Sequence, residues 1–319
     1  MLVISQAEVE ALLDPGDLID VLATAMADLS AGRASVPTRV AALVRERDAL
    51  LGAMPCHVPS LGILAAKLVT LFPRNAGGPH PTHQAVIATF DPATGTPTAI
   101  LDGTAITALR TGAGSALATR LLARTDAEVL AILGTGVQAR SHARTVPLVR
   151  DFREVRVAGR DAAKAQELAT ELVARGLPAR AASSFEEAVR GADVVCATTH
   201  PHEPVVRREW LRPGTHVTSV GWDPAGREVD DATVADARLV VESRAAALAP
   251  PPSGAADLTE PIAAGVIGPE HVHAEVGELV LGTKRGRASL GEITLYKSVG
   301  VAVQDAAAAS LVLKAIRER

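Results

Sequence analysis

The residues best suited to chemistry fall into three groups. One is the glycine-rich turn Gly134-Thr-Gly136-Val137-Gln138-Ala139, which directly follows the apolar run Glu128–Leu133. Its spacing is that of a dinucleotide loop. The first glycine allows a tight turn, the second lets the backbone approach a pyrophosphate, and the small third residue keeps helix and strand close. The free N–H groups opening the next helix then face the phosphates. The second group is Val157-Ala-Gly159-Arg160-Asp161. A chain that holds the ribose of NAD usually ends this strand with an acid. Here a guanidinium stands where a 2′-phosphate would lie, which favours NADPH, with NAD possible if Asp161 reaches the ribose. Asp161 is instead expected to cap the following helix. The third group is charge in apolar surroundings. Lys67 interrupts Ile63-Leu-Ala-Ala-Lys-Leu-Val, and a lysine in a buried strand needs a partner or a ligand. Arg110 lies in a threonine-rich helical stretch. Asp223 follows the apolar run Thr215–Val220, at the strand end where doubly wound sheets build their sites.

The elements that must position these residues follow from local patterns. Ser5 and Glu8 have capping-box spacing, and Asp14-Pro15 places a cap before a proline at the first helical position. Leu18, Ile19, Leu22 and Met26 then recur at helical spacing up to Gly32. Arg39–Arg45, Leu61–Leu71 and Ala85–Asp91 read as strands separated by the proline-containing stretches 55–59, 73–81 and 92–97. A long helix is predicted from Thr104 to Arg124. From Glu128 the chain alternates. Strands are expected at Glu128–Leu133, Glu154–Ala158, Ala192–Ala197, Thr215–Val220 and Arg238–Glu242, with helices after Gly134 and over Asp161–Arg175. Ala249–Gly254 reads as a surface loop, and residues 292–319 end in an alanine-rich helical pattern with Val303, Ala307, Leu311 and Ile316 on one side. The fold class is α/β: a Rossmann doubly wound parallel sheet joined to an α+β region.

Composition narrows the function. The 319 residues carry a net charge of −4 and only 2% aromatic residues, so neither a basic field nor a stacking surface for nucleic acid is present. Cys56 and Cys196 are too few for a disulfide framework and are expected to pack as small apolar residues. His57, His80, His83 and His142 lack zinc-ligand spacing, and His200-Pro-His202 reads as loop, so no metal is expected. No long apolar run suggests a membrane span, and the first ten residues lack a basic segment before an apolar one, so a cytoplasmic location is expected.

A succession of short motifs adds to this reading. Ala53-Met-Pro55, Lys67-Leu-Val, Pro73-Arg-Asn75, Gly95-Thr-Pro97, Leu101-Asp-Gly103 and Thr107-Ala-Leu-Arg110-Thr-Gly occur in order, followed by the glycine loop, Val220-Gly-Trp-Asp223, Gly277-Glu-Leu and Lys297-Ser-Val-Gly300. Over nearly the whole chain this resembles the ornithine cyclodeaminase/mu-crystallin family. The resemblance implies a homodimer. It also implies a substrate-binding and dimerisation domain made of residues 1–115 with 295–319, and a Rossmann domain over 116–294. It implies hydride exchange between a nicotinamide and the α-carbon of an amino or imino acid. By the same resemblance, Arg39, Lys67 and Arg110 hold the substrate carboxylate, and Lys67 is further able to exchange a proton near the imine nitrogen. Asp223 stabilises an iminium, and Thr111, Thr198 and Ser298 lie near the cofactor.

Departures from the family pattern shape the substrate. Cyclodeaminases carry a glutamate, and alanine dehydrogenases an arginine, where this chain has Gly52. Without a carboxylate there, the distal ammonium of ornithine would lose its counter-charge. The leading expectation is therefore an NADPH-dependent reductase of a cyclic ketimine, of pyrroline-2-carboxylate or piperideine-2-carboxylate type. Ornithine or lysine cyclodeaminase and alanine dehydrogenase are the alternatives, and a cofactor-dependent small-ligand binding protein is a further one. Trp222 is expected to wall the site or pack on the sheet.

Overall fold

A computed structural model of the chain describes residues 1–221, 226–250 and 253–319. It divides into two compact units, Met1–Arg110 with Val301–Arg319, and Thr111–Gly300. Asp223, Trp222, Pro251 and Pro252 lie outside the described residues.

The first unit is a mixed sheet with helices on one face. Its strands are β1 (Leu2–Ile4), β2 (Val40–Val44), β3 (Ala49–Val58), β4 (Ile63–Leu71), β5 (His83–Phe90) and β6 (Pro97–Asp102), in the order β1-β6-β5-β4-β3-β2. Only β1 runs parallel to its neighbour. Helices α1 (Gln6–Leu12) and α2 (Pro15–Ser30) begin where the capping patterns place them. The Ser5 N–H donates to Glu8 at 2.8 Å, and Asp14 accepts from the N–H groups of Gly16 and Asp17. Strand β4 alternates strictly: Ile63, Ala65, Lys67 and Val69 are buried, whereas Leu68 on the opposite face is exposed. Register places Met54, Lys67 and Ile87 in one row across β3, β4 and β5 on the buried face. The C-terminal helix of the chain, labelled α6 below (Ala302–Arg317), packs on β3, β4, β5 and α2. The opposite face exposes Val40, Leu51, Leu68 and Val86.

One expectation is corrected here. Residues 55–59 were expected to separate strands, but Pro55 lies inside β3, paired with Ala66 of β4. The pairing of β2 with β3 ends at Val40 and Ala53, so the far side of β3 needs no N–H at Pro55.

Among the described residues the second unit holds eight parallel strands: β7 (Val129–Leu133), β8 (Glu154–Ala158), β9 (Ala179–Ala181), β10 (Val194–Ala197), β11 (His216–Ser219), β12 (Arg238–Val241), β13 (Val272–Glu275) and β14 (Thr294–Lys297). Their order is β9-β8-β7-β10-β11-β14-β12-β13. Strand order reverses at β7, so the crevice beyond the carboxyl ends of β7 and β10 is the ligand position of a doubly wound sheet. Strand β7 is buried throughout because both faces are covered. Helix α3 (Gly103–Leu122) contains the boundary at Arg110, α4 (Val137–Thr145) follows β7, and α5 (Ala162–Ala174) follows β8. Residues 294–297 form a strand inside the sheet that the sequence pattern did not reveal, and the alanine-rich helical pattern runs from Ala302 to Arg317. No helix among the described residues is long and apolar enough to cross a membrane.

Candidate active site

In the first unit the buried sheet face gathers charge around one carboxylate. Lys67 and Arg110 are 3% and 6% exposed, and they meet on Asp305 of α6. The Lys67 Nζ is 2.7 Å from one carboxylate oxygen, and the Arg110 Nε donates to the other at 3.1 Å. A further Arg110 nitrogen donates to Gln304 Oε1 at 3.0 Å. Burial pushes the Lys67 ammonium down to about 8, with Asp305 opposing that shift and the charges of Arg110 and Arg39 adding to it. Burial also works to raise the Asp305 carboxyl, but Lys67 and Arg110 outweigh it and hold the group below the usual carboxylate range. His83 is half-buried at the end of the same face. Burial, then the Lys67 and Arg110 charges, push it down to about 4, so it is neutral at physiological pH. Burial and Asp305 push the Cys56 thiol up to about 12, which leaves it no thiolate for nucleophilic work. Arg39 precedes β2, half-buried, and its charge reaches Lys67. The row next to Lys67 on this face is Gly52, Val69 and Ala85, which carries no charge.

In the second unit the glycine loop has the shape its spacing implies. Gly134 adopts φ +119, and a Cβ there would lie 2.7 Å from Thr198 Oγ1 and 2.8 Å from the Thr198 carbonyl oxygen. Gly134 and Thr198 are thus neighbours at the switch point. Thr198 donates both its N–H and its hydroxyl to the Leu133 carbonyl. A Cβ on Gly136, the residue capping α4, would meet open space, so its backbone is accessible to a ligand. Val137 is exposed on the first turn, and Gln138 Oε1 is buried with no hydrogen-bond partner among the described residues. Ala139 is fully buried, allowing the close packing this position requires. An accessible helix start and a backbone approachable at Gly136 fit a dinucleotide phosphate, which the free N–H groups of that start would face. Arg160 is exposed just beyond β8, and Asp161 caps α5 by accepting from Ala163 and Lys164. Thr111 is buried near the middle of α3. Ser298 is also buried, with its hydroxyl donating to Glu242 at 2.7 Å.

Several buried charges lay beyond sequence reasoning. Lys297 donates to Ser219 Oγ at 2.9 Å and to the Gly221 carbonyl at 2.8 Å, and pairs with Asp257 at 2.7 Å. Asp257 accepts from the N–H groups of Glu228 and Val229. Glu228 in turn accepts from Thr199, Ser219 and the Gly221 N–H. Gly221, two residues before Asp223, is thus held by both its N–H and its carbonyl. Asp305 was missed because an alanine-rich helical pattern surrounds it. Its signal was positional: Ala302, Ala308 and Ala309, at helical spacing from it, are all buried, so this acid had to face the core. Among the described residues, no group of three or more His, Cys, Asp or Glu is arranged to hold a metal ion.

The model of the ornithine cyclodeaminase/mu-crystallin family matches residues 1–319. The chain belongs to this family. It is 37% identical to the ketimine reductase mu-crystallin of Mus musculus, over 92% of this chain and 90% of that protein. Its fold superposes with a TM-score of 0.95 on the Delta(1)-pyrroline-2-carboxylate reductase of Thermococcus litoralis, solved in complex with NADH and L-proline. That pair is 38% identical and covers 100% of this chain and 98% of the other. An archaeal alanine dehydrogenase dimer with bound NAD is 33% identical, with a TM-score of 0.93 over 100% of this chain and 96% of the other. Both of these solved relatives hold a nicotinamide dinucleotide, NADH in the first and NAD in the second.

Proposed function

We propose that this chain reduces a cyclic ketimine carboxylate, of pyrroline-2-carboxylate or piperideine-2-carboxylate type, to the L-amino acid, with NADPH preferred over NADH. The observation that carries this reading is the buried Lys67–Arg110 pair beside an uncharged row. The two cations share one carboxylate, so the trio keeps a net positive charge that a single substrate carboxylate neutralises. Gly52, Val69 and Ala85 then present no counter-charge for a distal ammonium, which argues against ornithine and for a ring without charge. The 38% identity to a pyrroline-2-carboxylate reductase supports the same substrate class.

A bound dihydronicotinamide supplies the hydride that turns C=N into CH–N. Lys67, Arg110 and Arg39 fix the carboxylate and with it the imine carbon. The nitrogen gains the matching proton, and Asp223 stabilises its protonated form. Lys67, with its ammonium near neutrality, is the proton donor to the imine nitrogen. Gly134, Gly136, Val137, Gln138, Thr111, Thr198 and Ser298 are assigned to the cofactor. Arg160 is assigned to a 2′-phosphate because Asp161 is already engaged as a helix cap. The exposed apolar face around Leu68 and Val86 is assigned to a homodimer contact, as the family relation to a dimeric alanine dehydrogenase suggests. A cytoplasmic location fits the use of a nicotinamide pool.

The test is absorbance at 340 nm with NADPH and each imino acid, repeated with NADH. Faster loss with NADPH, abolished by Lys67→Ala, is the expected result. No loss, with proline and ammonia appearing from ornithine and NAD+, would overturn the proposal in favour of a cyclodeaminase. Saturable NADPH binding without turnover of any of these compounds would leave a binding protein.

A further inference from the structure

We infer that Asp305 is a positioning residue for the carboxylate site: its two oxygens hold Lys67 and Arg110 as a fixed pair and keep Lys67 charged. Its role in turnover rests on the reading above, whereas its role in the charge balance rests on geometry alone. Each carboxylate oxygen faces a different cation, at 2.7 and 3.1 Å, so Asp305 sets the spacing between them. Gln304, the preceding residue, takes a second Arg110 nitrogen and prevents the guanidinium from turning away. All three charged groups are buried. Two such cations without an anion would repel one another in a poorly solvated space, and the lysine would yield its proton first because arginine does not.

The groups facing Lys67 come from every element around it. Asp305 comes from α6 and Arg110 from α3. Arg39 precedes β2, Cys56 lies on β3 and His83 on β5. Cys56 and His83 are both neutral at pH 7, since one is raised to about 12 and the other lowered to about 4. Among these groups Asp305 is therefore the anion that meets both Lys67 and Arg110. Removing it shifts Lys67 toward its neutral amine, with the loss of one of the charges that seat the substrate carboxylate.

The experiment uses the full chain labelled with 13C-lysine. Only five lysines are present, Lys67, Lys164, Lys284, Lys297 and Lys314, and the Lys67 signal is assigned by its loss in Lys67→Met. In the wild type it should titrate near pH 8. In Asp305→Asn it should titrate about 1–3 units lower, the effect of losing an opposite charge at this distance. The alkaline limb of kcat/KM for pyrroline-2-carboxylate should move down with it. The loss is then about fivefold or more at pH 8 and shrinks on acidification, whereas a merely damaged fold would lose activity at every pH. Asp305→Glu keeps the charge but displaces it. Its Lys67 should titrate near 8 while KM rises more than kcat falls, and this variant decides the matter if Asp305→Asn does not fold. Lys67 titrating at an unchanged pH in folded Asp305→Asn overturns the inference, as does a pH-independent loss or an unchanged KM in Asp305→Glu. If the wild type reduces no imine, the proposed reaction fails while the lysine titration still judges Asp305.

Discussion

Replacing Lys297 with methionine removes the cation from the carboxylate cluster of the second unit. The ammonium is 1% exposed and spends its donors on Asp257, Ser219 and the Gly221 carbonyl. Methionine matches the stem in length and offers none of these contacts. Among the described residues Asp257 would then keep the Glu228 and Val229 N–H groups and lose the cation paired with it. Breaking one partner of a buried pair costs about 3–5 kcal/mol, because the other charge stays buried and uncompensated. In a unit of this size each kcal/mol lowers the melting temperature by about 2–4 °C, so Lys297→Met should melt about 6–20 °C below the wild type. Scanning calorimetry of the full chain measures this on the transition of the Thr111–Gly300 unit. The double variant Lys297→Met with Asp257→Asn should recover a substantial part of the loss, since the orphaned charge is gone. Turnover should fall in both, because the Gly221 carbonyl, two residues before the proposed Asp223, loses its lysine donor. A melting point within about 2 °C of the wild type, or a double variant no better than the single one, would refute the reasoning.

Arg160→Ala should raise KM for NADPH about tenfold, the loss of one charged hydrogen bond to a phosphate, and leave KM for NADH unchanged. Equal effects on both cofactors would remove Arg160 from the 2′-phosphate. KM for the imino acid should be flat up to about pH 8 and rise above it, because the Lys67 ammonium is present below that pH and lost beyond it. A KM that stays level to pH 9.5 would show that Lys67 does not hold the carboxylate as a cation. Leu68→Asp places a charge at the centre of the exposed sheet face, so light scattering should report one chain where the wild type reports two, with an unchanged circular dichroism spectrum. A dimeric Leu68→Asp would move the contact elsewhere.

Legibility from the sequence varied with how local the cause was. The caps at Ser5, Asp14 and Asp161 and the loop at Gly134 are set by neighbours within four residues, and their sequence patterns carry them directly. Strand β14 was obscured because its four buried residues read equally well as the start of the helix behind them. Strand β3 was obscured by Pro55, whose tolerance depends on where the partner strand stops, a tertiary fact. The lysine in an apolar run announced that Lys67 needed a partner, but the partner stands 238 positions away. Glu228 and Asp257 escaped for the same reason: their partners are backbone groups and a lysine brought close only by the sheet.

The division of the first unit between the two ends of the chain has a consequence for its synthesis. Residues 1–110 carry the whole mixed sheet, while α6, which covers β3, β4 and β5 and supplies Asp305, comes last. At ribosomal speeds of about 5–20 residues per second, some 10–40 s pass between the emergence of Arg110 and that of Val301. During that wait the nascent sheet displays Met54, Ile87 and Val69 to solvent, together with a lysine and an arginine that lack their anion. The parallel-sheet unit, contiguous in the chain, is free to fold in the interval. The mixed-sheet unit is therefore the last to be finished, and a ribosome that stalls near residue 300 leaves a complete parallel-sheet unit attached to an open, adhesive sheet that chaperones must cover.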